Sequence, residues 1–566
     1  MTLLSNPRIT GSESSVPGLL ADRPADLYSL LRNTRKTGAA RSVPGLLAAR
    51  QAALFALLSF VAAVPLIAAL PQPVKTQAGL VAGVASSDGA IAAFKGIPFA
   101  AAPAGDLRWR APKPAAAWQG VRKADEFGDS CVQRIVAERK PWTHEFMAHN
   151  KIGEDCLHLN VWTGAVAATE RRPVFVWIYG GGYTEGSTAV PVYDGENLAK
   201  RGIVVVTVNY RLGVLGFLAH PDLTKESDRN ASGNYGMLDQ IAALEWVQQN
   251  IAAFGGDPKR VTIGGQSAGA SSVHNLVASP LAKGLFQRAI AESGSSVAPN
   301  VRAPTLKDVE AQGVKFAESK GAHNIEALRA MKWEDVVAPA PNGPAFGFRP
   351  VVDGWALPAS PGETFAAGKQ NDVPTLTGLT ADEGSSQAGY GAVPAEKWIG
   401  QVRSRFGDFA GELLKLYPAE SDASQKALAR ELGMSSMHLW AANRAKTAKS
   451  KVFTYYWTHA EPGPDSAQFG AFHTSEVPYV FNTLDKSDRG WTAEDRKIAQ
   501  TIGSYWINFM TSGDPNGKGL AQWPAFNQKS AITMELGDQF KARPVADKAK
   551  VELFGRYLLR PADAAR

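Results

Sequence analysis

A serine hydroxyl attacks a carbonyl only when it stands clear of its neighbours and a base can take its proton. Ser267 lies in Gly265-Gln266-Ser267-Ala268-Gly269, directly after the apolar run Val261-Thr262-Ile263. The G-x-S-x-G pattern needs this setting. A strand runs into a sharp turn, the serine takes a strained backbone conformation, and the flanking glycines leave room where side chains would clash. A helix expected to begin at Ala268 would aim its free N–H groups and positive dipole end at the reacting centre. Five residues alone make a common match, and many such matches are plain glycine turns. The upstream Phe254-Gly255-Gly256-Asp257-Pro258 makes this one far more specific.

The stretch Phe254–Gly269 resembles the serine-site signature of the type-B carboxylesterases, a branch of the α/β-hydrolases. So do Phe94-Lys95-Gly96-Ile97-Pro98-Phe99-Ala100, Glu154-Asp155-Cys156-Leu157-His158-Leu159-Asn160-Val161 and Asn209-Tyr210-Arg211-Leu212-Gly213. The resemblance runs from about Val74 to near the C-terminus. It implies an α/β-hydrolase fold, a large and mostly parallel central sheet flanked by helices.

In such enzymes the chain order is Ser, then Asp/Glu, then His. His274, His323, His438, His459 and His473 follow Ser267. Phe472-His473-Thr474-Ser475-Glu476-Val477-Pro478-Tyr479 resembles the family's histidine loop, which implies His473 as the base. His459 is the alternative, in a segment that reads as a strand end. The family places a glutamate followed by glycine after a strand at the acid position. Glu383, in Asp382-Glu383-Gly384, matches it, with Asp382 as a substitute. Tyr179-Gly180-Gly181-Gly182-Tyr183 follows an apolar run, and glycines let backbone N–H groups approach a developing oxyanion. By resemblance the donors are Gly181, Gly182 and Ala268. Ser293 reads either as a partner of the acid or as a simple turn. Arg108 with Glu154, and Arg211 with Asp239, read as buried pairs that hold loops.

Only Cys131 and Cys156 are present. They form one bridge in an exported protein or stay two buried thiols in a cytosolic one. The resemblance implies the bridge, around a loop that contains Trp142. Cholinesterases carry Glu directly before the serine, facing a cationic substrate, where this chain has Gln266. That argues against choline esters and for neutral ones.

These residues need elements to hold them. From Val74 onward short apolar runs alternate with helical patterns, as in a mainly parallel α/β sheet. Val174–Ile178, Ile203–Val208, Val261–Ile263 and Thr375–Leu379 are predicted strands. Ala493–Thr511 is a predicted amphipathic helix with Ile498, Ile502, Tyr505, Trp506 and Phe509 on one face, Thr492 as its cap and Gly513 at its end. With 566 residues and 45% hydrophobic content, one large domain over 71–566 accommodates them all.

The net charge of +7 does not mark a nucleic-acid binder. Much of it falls in residues 1–50, and no basic stripe follows. Gly180-Gly181-Gly182 lacks the Lys-Ser/Thr of a phosphate loop. Residues 1–51 read as a disordered or mis-assigned extension, with Ser15–Ala21 repeated as Ser42–Ala48. Ala52–Leu70 reads as the apolar core of a secretory signal removed near Ala69, or as a membrane anchor.

The reading is an exported, periplasmic or secreted, serine carboxylic-ester hydrolase. It acts through an acyl-enzyme on small-molecule esters and needs no cofactor or metal. Its only membrane partner would be that N-terminal anchor. An amidase or lipase would share the same triad. A non-catalytic adhesion relative of the fold would lack a triad residue, and all three are present here.

Overall fold

The structure is a computed structural model that describes residues 70–294, 304–339 and 347–560. The expected extension, 1–51, and all but the last residue of the apolar segment 52–70 lie outside the described residues. The centre is an 11-stranded sheet. In chain order its strands are β1 (Val84–Ala85), β2 (Ala92–Pro98), β3 (His158–Thr163), β4 (Arg172–Ile178), β5 (Val204–Val208), β6 (Gly256–Gln266), β7 (Arg288–Glu292), β8 (Thr375–Thr380), β9 (Val452–Trp457), β10 (Ile532–Leu536) and β11 (Lys541–Pro544). In space they run β11-β10-β9-β8-β7-β6-β4-β5-β3-β2-β1.

Pairing is parallel from β5 through β4 and β6 to β10. The flanks β3, β2, β1 and β11 pair antiparallel. The sheet is therefore mixed. Its parallel centre has both faces covered, so β4, β5 and β9 are buried almost end to end and read as continuous apolar runs. The antiparallel flanks depend on partners far away in the chain, and a run of apolar residues does not announce its direction.

The helices that bear on the site are α1 (Tyr235–Asn250), α2 (Ala268–Ala278), α3 (Asp422–Ala445), α4 (Val477–Phe481) and α5 (Ala493–Ser512). α5 buries Ile498, Ile502, Tyr505, Trp506 and Phe509. Thr492 Oγ1 accepts from the Asp495 N–H at 3.2 Å, Asp495 answers on the Thr492 N–H at 2.8 Å, and Gly513 closes the helix at φ 82°. A reciprocal cap and a left-handed glycine are the expected stop signals.

Two ion pairs, one buried and one partly buried, tie loops to this frame. Arg211 Nη2 lies 2.7 Å from Asp239 on α1, and Arg108 Nε lies 2.6 Å from Glu154. Cys131 and Cys156 are joined by a disulfide. It closes the loop that carries Trp142 and places that loop beside the carboxyl ends of the central strands. No helix among the described residues is long and apolar enough to cross a membrane.

A bridge across 25 residues restricts the unfolded chain by up to about 3.5 kcal/mol. The Cys131→Ser/Cys156→Ser protein should lose no more than that in denaturant titrations. Proteolysis should then cut first inside residues 131–156. Unchanged stability would mean that the reduced chain keeps the loop closed without the bond.

Candidate active site

β6 ends at Gln266 and α2 starts at Ala268, so Ser267 is the whole connection. Its backbone sits at φ 59°, ψ −121°, a region costly for any residue but glycine. Neighbouring backbones enforce this. The Ser267 N–H donates to the Glu292 carbonyl at 2.8 Å, and the Ser267 carbonyl accepts from the Ser271 N–H at 2.9 Å. A Cβ on Gly269 would stand 2.0 Å from the Ile178 carbonyl oxygen, and one on Gly265 would stand 2.6 Å from it. Both flanking glycines are therefore required by close approach.

The loops that follow β4, β6, β8 and β9 bring the predicted residues together. Glu383 lies just past β8, where its Oε1 accepts from the Thr380 N–H at 2.9 Å. Its Oε2 meets His473 Nδ1 in a short hydrogen bond. Ser267, His473, Gly181 and Gly182 line one cavity of ≈ 290 Å³, with Gln266 and Trp142 in its wall. Gly181 and Gly182 take φ 102° and 62°. Their N–H groups, and that of Ala268 at the start of α2, donate no hydrogen bond among the described residues. Two of these free donors, on Gly181 and Gly182, belong to residues that line the cavity with Ser267, and the third is on the residue that follows Ser267. Ser267 Oγ itself makes no hydrogen bond there. The His473 Nε2 atom faces Gln266 Nε2 at 3.1 Å instead.

The alternatives are accounted for elsewhere. Asp382 pairs with Arg430 on α3 at 2.6 Å and accepts from the Ala471 N–H at 3.1 Å, so it braces the histidine loop from behind. His459 sits between Asp495 and Asp538, at 2.9 and 2.7 Å, past the end of β9.

Burial works against charge on both Glu383 and His473, and their partnership outweighs it. Glu383 is held below the usual carboxylate range by the His473 charge and by hydrogen bonds from His473 and the Thr380 N–H. His473 is held above its ordinary value of 6.5, because the Glu383 charge and hydrogen bond, with Glu476 beyond, exceed the cost of burial. The imidazolium that forms when a serine proton is taken is thereby favoured.

Three contributors were not read from the sequence. Trp142, noted only as an aromatic between the cysteines, donates Nε1–H to the His473 carbonyl at 3.1 Å and to Thr474 Oγ1 at 3.2 Å. The disulfide loop thus grips the histidine loop. Glu292 and Glu476 are fully buried acids behind the site. Trp506 Nε1–H donates to Glu292 Oε1 at 2.8 Å, and Glu476 Oε1 accepts from Tyr455 at 3.2 Å and Ser293 at 3.4 Å. Each leaves its Oε2 without a partner. Burial pushes both carboxyls well above the usual range, and their mutual repulsion adds to it for Glu476. Their positions, at the end of β7 and three residues after His473, were the available signal. Burial decides their state, and burial is not local. Among the described residues no group of His, Cys, Asp and Glu converges to hold a metal ion.

The sequence matches the carboxylesterase family over residues 71–554. It is 38% identical to fumonisin B1 esterase of Sphingopyxis macrogoltabida over 501 residues, 84% of this chain and 89% of that one. It is 33% identical to para-nitrobenzyl esterase of Bacillus subtilis (83% and 95% covered) and 33% identical to human cocaine esterase (80% and 84% covered).

Replacing Trp142 by Phe keeps the ring and removes the N–H from the His473 carbonyl. A hydrogen bond worth about 1 kcal/mol should appear as roughly a fivefold loss in kcat/KM. Unchanged kcat/KM would show that the histidine loop is held without this contact.

Proposed function

The chain belongs to the carboxylesterase family, and from that premise we propose that Ser267, Glu383 and His473 form its catalytic triad. Carboxylic-ester hydrolysis is the family's chemistry and this chain's activity. The short Glu383–His473 bond beside a strained Ser267, in one cavity, carries the residue assignment. The fold that goes with it is the α/β-hydrolase fold, as one domain over 71–566.

In this reading Ser267 Oγ attacks the ester carbonyl carbon while His473 Nε2 takes its proton. The carbonyl oxygen gathers negative charge and receives the Gly181, Gly182 and Ala268 N–H groups. Glu383 holds the imidazolium by Nδ1. His473 returns the proton to the leaving alcohol oxygen and an acyl-enzyme remains. Water then gives its proton to His473, attacks the acyl carbon, and releases the acid and Ser267. Before attack, the imidazole must exchange its Gln266 contact for Ser267 Oγ. Such hydrogen bonds often tighten only once substrate is bound.

The substrates proposed are small neutral carboxylic esters. The amide of Gln266 in the cavity wall offers no charge to a cationic group. The relatives are named for fumonisin B1, para-nitrobenzyl esters and cocaine, so all three are named as esterases.

The disulfide and the apolar segment 52–70 support export to the periplasm or the medium, with removal of the segment between about Ala69 and Lys75. Intact-mass measurement of the mature protein should give that start and no alkylatable thiol. A mass retaining the first fifty residues, with two free thiols, would overturn export.

The catalytic assignment predicts that an organophosphate labels Ser267 in stoichiometric amount and abolishes hydrolysis. Ser267→Ala should lose activity by orders of magnitude. His473 must be neutral to act as base, and its pKa lies above 6.5, so kcat/KM should fall on the acid side with a midpoint above that value. His473→Ala should cost orders of magnitude and His459→Ala little. The reverse ranking, or full activity in Ser267→Ala, would discard the triad.

A further inference from the structure

His473 Nε2 is the atom that must take the serine proton, and in the free protein Gln266 holds it. The two nitrogens are 3.1 Å apart, while Ser267 Oγ makes no hydrogen bond among the described residues. The His473 Nδ1 proton is committed to Glu383. The neutral ring therefore carries a lone pair on Nε2. Only the amide N–H face of Gln266 can meet a lone pair favourably, which fixes the orientation of its carboxamide.

Gln266 has little freedom to leave. Its side chain is buried at 2% exposure, and its backbone pairs with Glu292 at the end of β6. Its Oε1 packs under the glycine loop, 3.0 Å from where a Gly180 Cβ would stand. The same residue thus touches the base and the loop proposed to bind the oxyanion.

We propose that Gln266 is a positioning residue: it holds the His473 ring in the free enzyme by donating to Nε2, and it disfavours protonation of that nitrogen until Ser267 and substrate take its place. The inference rests on the proposed roles of Ser267 and His473. The titratable groups that face His473 are Glu383 at Nδ1 and Glu476 at the start of α4. The Trp142 ring stands edge-on at 6.4 Å and carries no charge. Both acids favour the imidazolium. Gln266 opposes it, because a donor facing Nε2 must withdraw or turn when that atom gains a proton. The consequence is a free enzyme whose base stays neutral and available at lower pH than Glu383 alone would allow.

The test compares kcat/KM against pH for the wild type, Gln266→Glu and Gln266→Met, using a neutral chromogenic ester. A carboxylate at this position would accept from Nε2–H and trap the imidazolium. The acid limb of Gln266→Glu should move up by about one pH unit or more. Gln266→Met removes the donor without adding charge, and its limb should move up by less. Thermal unfolding reports whether each variant is folded. If Gln266→Glu does not fold, the methionine variant decides, and an unmoved limb there overturns the proposal. A fall in kcat with the limb unmoved in both variants also overturns it, since packing alone would do that. Organophosphate labelling of Ser267 in each variant separates the two readings. Labelling that persists while the limb stays fixed discards the role of Gln266 alone. Loss of Ser267 labelling in the wild type discards the triad beneath it.

Discussion

The site is built on the close approach of three backbones at the end of β6. Ser267 occupies a conformation that costs on the order of 1–3 kcal/mol, and it stays there because the alternatives are blocked or bonded away. The Ile178 carbonyl sits where a Cβ of Gly265 or Gly269 would be. The Ser267 N–H is tied to the end of β7. The strain is thus held by sheet register. It keeps Ser267 in the cavity wall and starts α2 one residue later, at Ala268.

Everything else at the site arrives from other strands. Glu383 comes from the end of β8, and the loop after β9 brings His473 to it. Backbone bonds between Asp382 and Ala471 join these two loops at their bases. The glycine loop after β4 lies against Ser267, with its base braced by Tyr179 stacked on Tyr210 at 4.6 Å. The disulfide loop closes over the top through Trp142. A parallel sheet makes this convergence possible, because its carboxyl ends open on the same edge.

The electrostatics follow from how many acids crowd one imidazole. Glu383, Glu476 and Glu292 lie behind His473 at successive depth. Crowded carboxylates, two of them fully buried, cannot all ionise together. Glu383 keeps its charge because His473 and the Thr380 N–H donate to it. The deeper two each have one oxygen without a partner, and burial pushes both carboxyls up to about 8. Glu383 thus supplies the nearest negative charge to the base, with Glu476 beyond it.

The sequence alone determined what depends on consecutive residues. A strand, a turn between glycines and a helix start fit within the stretch Val261–Gly269, so Ser267 was legible there. The cap, apolar stripe and stop of α5 were legible for the same reason. His473 and Glu383 were reached through resemblance, because no local property separates them from His459 and Asp382. The structure separates each pair by its surroundings: Asp495 and Asp538 occupy His459, and Arg430 occupies Asp382. The antiparallel flanks, the grip of Trp142, the raised carboxyls of Glu292 and Glu476, and the contact of Gln266 with His473 were decided only by the tertiary structure. Each depends on distance and burial between segments far apart in the chain. Sheet order sets those distances, and residue type alone does not encode them.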